Sequence, residues 1–307
     1  MRNRFADTFY ELGKADPRLC VVVADISPAG SIAKFRQEFP DRFVNTGVAE
    51  QIMIGMAAGM AQRGLRPFAY TIATFTLYRP FEMVRDDLCY QNLPVTIVGI
   101  GGGLTYSTLG ATHHAQEDVS IACSLPNMNV IAPCDPAEAE AATRWCARQE
   151  LGPVYLRLGK AGEPVLTGEA TTPWEFGRIR KLRQGADVCI LSYGPIMKQA
   201  FEVARCFEAA GQAAAVVSVH TLKPLDREGL AQVLRDYPQV IVIEECAPNG
   251  GLSMQVKALA WETQARCKLV AFTLQDAFIH CYGSHDEILA EHGLSAGKIC
   301  HRLGLGQ

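Results

Sequence analysis

Apolar and polar residues fall in blocks along this chain. Short apolar runs rich in β-branched residues recur at L-C-V-V-V-A-D (19–25), R-F-V-N-T (42–46), R-P-F-A-Y-T-I ending near Ile72, L-P-V-T-I-V-G-I (93–100), N-V-I-A-P (129–133) and P-V-Y-L-R-L (153–158). Runs that are apolar over nearly their whole length predict strands buried on both faces, the habit of parallel sheets. Longer stretches between them predict helices. The chain opens on an amphipathic helix, M-R-N-R-F-A-D-T-F-Y-E-L-G-K-A-D-P-R-L. Residues 47–64, G-V-A-E-Q-I-M-I-G-M-A-A-G-M-A-Q-R-G, are apolar almost all round and predict a buried helix. Thr46 is placed to cap it and Gly64 to end it. Residues 79–91 predict a helix of mixed faces, and Asp135 is placed to cap another over 136–149.

Residues 161–177 contain Gly, Pro and Thr with little periodicity and are expected to form a linker. The alternation then resumes, with strands over 187–193, 214–219, 239–244 and near 268–273, and helices over 195–210, 226–236, 251–264 and 284–292. Strands alternating with helices imply an α/β fold. Two domains are expected, 1–160 and 178–307, each a mostly parallel sheet flanked by helices. A length of 307 residues agrees, because single cores stop growing near about 250–300 residues.

Composition narrows the function classes. The chain is 49% hydrophobic and 20% charged with a net charge of −3, an ordinary globular balance that excludes disordered and fibrous classes. No long Lys/Arg run supplies the basic face that nucleic acid requires as main partner. No run of about 18 apolar residues offers a membrane span. The charged opening helix does not read as a signal peptide. The eleven cysteines are scattered without a CxxC, which predicts neither a disulfide framework nor a zinc site, and they read as buried small hydrophobes in a reducing cytoplasm.

Ligands of open α/β sheets bind beyond the carboxyl ends of strands, and three places there carry unusual residues. Glu50 lies in the first turn of the apolar helix. It reads either as compensation of the helix dipole or as a buried carboxylate of raised pKa that shares a proton with a ligand nitrogen. Phe75, Tyr78 and Phe81 are spaced three apart; they form either core packing or a stacking wall for a flat heterocycle. The loop G-G-G-L-T-Y-S-T-L-G-A-T-H-H-A-Q-E-D lacks the glycine spacing of a dinucleotide fingerprint and the Lys of a P-loop. Its adjacent His113 and His114 lack the spacing of a helical metal pair. A glycine-rich loop ending in histidines suits close approach of substrate and proton transfer.

The motifs N-T-G-V-A-E-Q (45–51), A-T-F (73–75), G-A-T-H (110–113) and L-P-N-M-N-V-I-A-P-C-D-P-A-E (125–138) stand in the order and spacing of the transketolase superfamily, and this part resembles its pyrimidine-binding domain. Residues 178–307, with V-I-E-E-C-A-P-N-G-G (242–251) and Y-G-S-H-D-E-I-L (282–289), resemble that superfamily's C-terminal domain. The diphosphate-binding domain, marked by a GDG motif, has no counterpart in this sequence. The resemblance therefore implies the C-terminal subunit of a split transketolase. Thiamine diphosphate would lie between chains, with Mg2+ or a similar divalent metal held mainly by an N-terminal partner that carries GDG, in an α2β2 assembly. By the same resemblance Glu50 meets the aminopyrimidine, Phe75 stacks on it, Tyr78 lines the pocket and Asp25 lies near the cofactor. His113, with His114 beside it, faces the reacting oxygens of the substrate, and Arg157 or Lys160 falls near the arginine that binds substrate phosphate.

One departure stands out. Where the family loop carries Asp four residues before the histidine, this chain has Leu109. A buried Leu109 would leave a substrate hydroxyl unpaired, which predicts a non-standard substrate. Two other readings share parts of the pattern: the β subunit of a 2-oxo acid dehydrogenase E1 component, and a catalytically silent assembly subunit. The E1 family's usual Ser-Glu-Gln and His-Ser text is replaced here by Val48-Ala49-Glu50-Gln51 and Thr112-His113-His114. A silent subunit has no physical reason to keep a carboxylate in an apolar helix.

Overall fold

A computed structural model describes residues 1–25, 32–168, 170 and 172–305. The first half of the chain runs α1 (Arg2–Ala15), β1 (Leu19–Val23), α2 (Ala33–Glu38), β2 (Phe43–Asn45), α3 (Glu50–Gln62), β3 (Arg66–Ile72), α4 (Ala73–Leu77), α5 (Phe81–Met83), β4 (Thr96–Ile100), α6 (Asp118–Ser124), β5 (Asn129–Ile131), α7 (Pro136–Cys146) and β6 (Val154–Leu158). The second half runs β7 (Arg180–Arg183), β8 (Val188–Ser192), α8 (Met197–Ala209), β9 (Ala214–Ser218), β10 (Thr221–Lys223), α9 (Arg227–Asp236), β11 (Gln239–Ile243), α10 (Leu252–Glu262), β12 (Lys268–Phe272), α11 (His285–Glu291) and α12 (Ala296–Arg302).

These strands build two α/β sheets. The first has the order β10-β5-β6-β4-β3-β1-β2 and the second β12-β11-β8-β9-β7. All pairings are parallel except β10 on β5 and β7 on β9. β1, β4, β6, β8 and β9 are buried at every position, which is why each reads as a continuous apolar run.

The two halves are joined more closely than a linker would join them. β10 leaves the second half to pair with β5, Thr221 opposite Ile131. His220 O then accepts the N–H of Ala132 at 2.7 Å. One apolar core runs from Met53, Ile97 and Val130 under the first sheet to Val217, Val240 and Leu252 under the second.

Asp135 caps α7 as its sequence position predicted, accepting the Glu138 N–H at 2.8 Å. Its other oxygen accepts the N–H groups of Leu166 and Thr167 and the Thr167 hydroxyl, so one buried carboxylate also ties down the segment after β6.

Several expectations are corrected. Thr46 does not cap α3: Ala49 holds that position with no side-chain bond, and the Thr46 hydroxyl donates back to Val23 O at 3.2 Å. The turn between β2 and α3 thus consumes the expected cap. Gly64 does end the helix, at φ 85°, with Leu65 N donating to Met60 O. α3 is not buried all round. Val48 just before it and Ile52 and Met56 on it are exposed, although Met53, Ile54, Ala57 and Ala58 are core. The 79–91 helix is a single turn, α5, continued as a π-helical turn over Val84–Tyr90. Cys206 and Cys300 form a disulfide between α8 and α12, a pair that scattered spacing did not announce. Six of the other cysteines are buried and free; burial pushes the Cys146 thiol up to about 12. No described helix is long and apolar enough to cross a membrane.

Candidate functional site

Most of the expected site residues gather at the carboxyl ends of the first sheet's strands, where the parallel pleat leaves backbone unpaired. Asp25 follows β1. It is exposed, adopts φ 44°, and donates its N–H to Asn45 Oδ1 at 3.1 Å. Glu50 opens α3 and is 3% exposed. Phe75 lies on α4 beyond β3, and His113 on the loop beyond β4.

The aromatic residues do not form one helical stripe. α4 stops after Leu77, and Phe81 begins a new turn with its side chain turned partly to solvent. Tyr78 points elsewhere, donating its hydroxyl to Glu117 Oε2 at 2.9 Å and accepting the Glu117 N–H at 3.3 Å. Burial, then the Asp118 and Glu117 charges, hold its phenol far above the usual range.

The centre of the group is a residue that spacing did not single out. Arg79 Nη1 donates to Glu50 Oε1 at 2.8 Å, while its guanidinium carbon lies 4.2 Å from the Phe75 ring centroid. The available signal was its place four residues after Phe75, although α4 ends at Leu77 and Arg79 lies in the turn beyond it. The His113 ring meets Phe75 edge-on, centroids 5.2 Å apart at 70°. Its Nδ1 is 2.9 Å from the Thr112 hydroxyl. Burial, His114 and Arg79 lower the His113 pKa from its usual value, so the ring is neutral at pH 7. His114 is buried, with Nε2 3.4 Å from Ser107 O, and its pKa is likewise lowered, by burial first.

Leu109 and Arg157 are placed differently from expectation. Leu109 is not buried: it is 48% exposed, on the short 3-10 turn Ser107–Leu109 at the tip of the loop. Within this chain a hydroxyl beside it would meet water, so burial against it must come from another molecule. Arg157 is neither a surface charge nor turned toward an open site. It is 2% exposed, pairs through Nε with Asp118 Oδ2 at 2.8 Å, and donates Nη2 to Glu245 O at 2.9 Å. A strand buried on both faces must neutralise any charge internally, and Asp118 does so; removing one partner of such a pair costs about 3–5 kcal/mol. Lys160 is exposed, 5.6 Å from the Tyr106 ring centroid. It borders a cavity of about 330 Å³ shared with Thr105, Glu163, Lys198, Ser284 and His285. Among the described residues no group of three His, Cys, Asp or Glu side chains is arranged to hold a metal ion.

Comparison with known proteins agrees with this architecture. Residues 1–162 match the model of the transketolase pyrimidine-binding domain, and residues 177–299 that of the transketolase C-terminal domain. A putative transketolase C-terminal section of Methanocaldococcus jannaschii is 34% identical over 99% of this chain and 95% of its own length. An apulose-4-phosphate transketolase subunit from Phocaeicola vulgatus is 29% identical over 97% of this chain and 95% of its own. A solved structure, described as a split gene transketolase in an inactive beta4 tetramer, superposes with a TM-score of 0.89 at 36% identity, covering 99% of this chain and 96% of the other. The protein belongs to the transketolase family, carrying that family's pyrimidine-binding and C-terminal domains in one chain.

Proposed function

We propose that this chain is the C-terminal subunit of a split transketolase. With an N-terminal subunit bearing the diphosphate-binding GDG motif, it would bind thiamine diphosphate and transfer a two-carbon ketol unit between phosphorylated or otherwise modified sugars. The observation that carries this reading is the bridge made by Arg79. Its flat guanidinium hydrogen-bonds the Glu50 carboxylate and lies over the Phe75 ring at once. An aminopyrimidine asks for the same two contacts, a carboxylate at its edge and an aromatic ring against its face. The residues present therefore fit the pyrimidine of the cofactor. When bound, the cofactor supplies the reactive carbon through which ketol groups move.

This chain's residues then have distinct tasks. Glu50 shares a proton with the ring nitrogen of the pyrimidine, in a pocket from which burial excludes competing water. Phe75 sets the plane of the ring, while Tyr78 is held by Glu117 to one side of it. Asp25 sits at the rim. Neutral His113 can take or return a proton at the reacting oxygens of the substrate, with His114 packed behind it. Lys160 binds the anionic end of the substrate; Arg157 is spent on Asp118. The exposed Val48, Ile52 and Met56, beside Glu50, support a partner surface there.

The test is reconstitution. This chain and an N-terminal section, mixed with thiamine diphosphate and Mg2+, should transfer ketol units that neither transfers alone; full activity from this chain by itself would refute the split site. In that assembly Leu109→Asp should improve use of ordinary sugar phosphates, and an unchanged donor panel would remove Leu109 from substrate choice.

The bridge itself makes a further prediction. Since the guanidinium occupies the contacts of the pyrimidine, Arg79→Met should tighten thiamine diphosphate binding to the assembled protein about 2–5-fold, the scale of a partly exposed ion pair. Calorimetric titration measures it; weaker binding would show that Arg79 helps hold the cofactor instead of competing with it.

A further inference from the structure

The loop that carries His113 is gripped from outside its own sheet. It leaves β4 through Gly101, Gly102 and Gly103 and closes on itself where Ala115 N donates to Gly103 O at 2.8 Å. Two glycines let its backbone lie flat on side chains beneath. A Cβ on Gly102 would stand 2.5 Å from Arg157 Cγ, and one on Gly103 2.4 Å from Glu245 Cδ.

Glu245 belongs to the second half, just beyond β11, and is fully buried. Its Oε1 accepts the Leu104 N–H at 2.5 Å and lies 2.7 Å from His285 Nε2. Its backbone oxygen accepts from Arg157. Two residues on, Ala247 N donates to Gln116 O at 2.7 Å. The second half thus holds the loop at both ends, at Leu104 on the way out and at Gln116 on the way back, with His113 between.

The acceptor at Leu104 is charged. Burial alone would push the Glu245 carboxyl up, but His285, Arg157 and the Leu104 N–H outweigh it and hold its pKa below the usual value. Burial presses the His285 imidazole down, and Glu245 more than offsets that, leaving its pKa above the usual value. A hydrogen bond to an ionised acceptor is roughly twice as strong as a neutral one.

We infer that Glu245 and His285 are positioning residues for the His113 loop: the second half of the chain sets where His113 stands against the substrate. The kinetic part of this inference rests on the function proposed above; the grip on the loop stands on geometry alone.

Glu245→Gln and His285→Gln, each assembled with the partner subunit and thiamine diphosphate, test it. Hydrogen exchange of amides 104–115 should quicken about tenfold in the first and about threefold in the second, as a charged acceptor becomes neutral or loses its counter-charge. Amides of β8 and β11 should keep their protection. kcat should fall at least tenfold, because small misplacement of a catalytic group is costly, while cofactor affinity stays, since Glu50 and Phe75 lie off this loop. Unchanged loop protection in both variants overturns the inference, and so does a loss spread equally over β8 and β11. Faster loop exchange with unchanged kcat overturns the positioning role. Should Glu245→Gln not fold, His285→Gln decides, its side chain being 27% exposed at the cavity wall. Absence of ketol transfer in every form, with loop exchange responding as stated, would fail the functional reading and leave the grip standing.

Discussion

On the function proposed above, Glu50→Gln is expected to lower ketol transfer by the assembled subunits about 10²–10⁴-fold, the usual worth of one positioned proton-transfer group. The substitution keeps the volume and one acceptor oxygen but removes the carboxylate that, on that reading, would share a proton with the pyrimidine. Folding should suffer little. Glu50 caps no helix, and its one ion pair, with a half-exposed Arg79, contributes on the order of 0–1 kcal/mol. The measurement is exchange of the acidic cofactor proton with solvent, followed by NMR in the assembled protein, beside kcat and the urea midpoint. Normal exchange would take Glu50 out of the mechanism. A large drop in the urea midpoint would recast it as a structural carboxylate, the reading its place at a helix start first allowed.

The second large effect is on assembly. Ile52, on the first turn of α3 with buried Glu50, is 59% exposed, and Val48, just before the helix, is 69% exposed. Exposed apolar side chains next to a buried carboxylate mark a surface that another molecule covers. A glutamate at position 52 would place an unpaired charge in that contact, at a cost of several kcal/mol. Ile52→Glu should therefore abolish reconstitution with the N-terminal subunit at micromolar concentrations while leaving the isolated chain folded. Sedimentation and the activity of mixed subunits would show it. A complex of normal size and activity would move the partner surface elsewhere.

These two residues also show what the sequence made legible. Strands buried on both faces write themselves as unbroken apolar runs, so β1, β4, β8 and β11 are readable without a structure. β10 is not readable: it is three residues long, ends at Lys223-Pro224, and finds its partner in the other sheet. Glu50 stood out because a carboxylate in an apolar helix has few reasons to be there. The helix around it misled, because an apolar surface reports that burial occurs and not which molecule provides it. Arg157 misled in the opposite sense. Placed at the end of a strand it read as a candidate for binding substrate phosphate, whereas burial on both faces demanded an internal partner, and Asp118 lies far off in sequence. Arg79 was invisible because its role rests on two contacts at once, and spacing announces only one at a time.

The strand exchanged between the sheets also limits motion. Two lobes joined by a single tether can hinge and open a cleft. Here β10 is laced into the edge of the first sheet while its neighbours β9 and α9 belong to the second, and the core is continuous beneath them. Opening such a joint would tear backbone hydrogen bonds and wet apolar surface together, so the two sheets turn as one body. On the proposed function, traffic of sugars to and from the site would then be governed by the His113 loop and the fit of the neighbouring subunit, and turnover should respond to changes there and not to stiffening of the segment between β6 and β7.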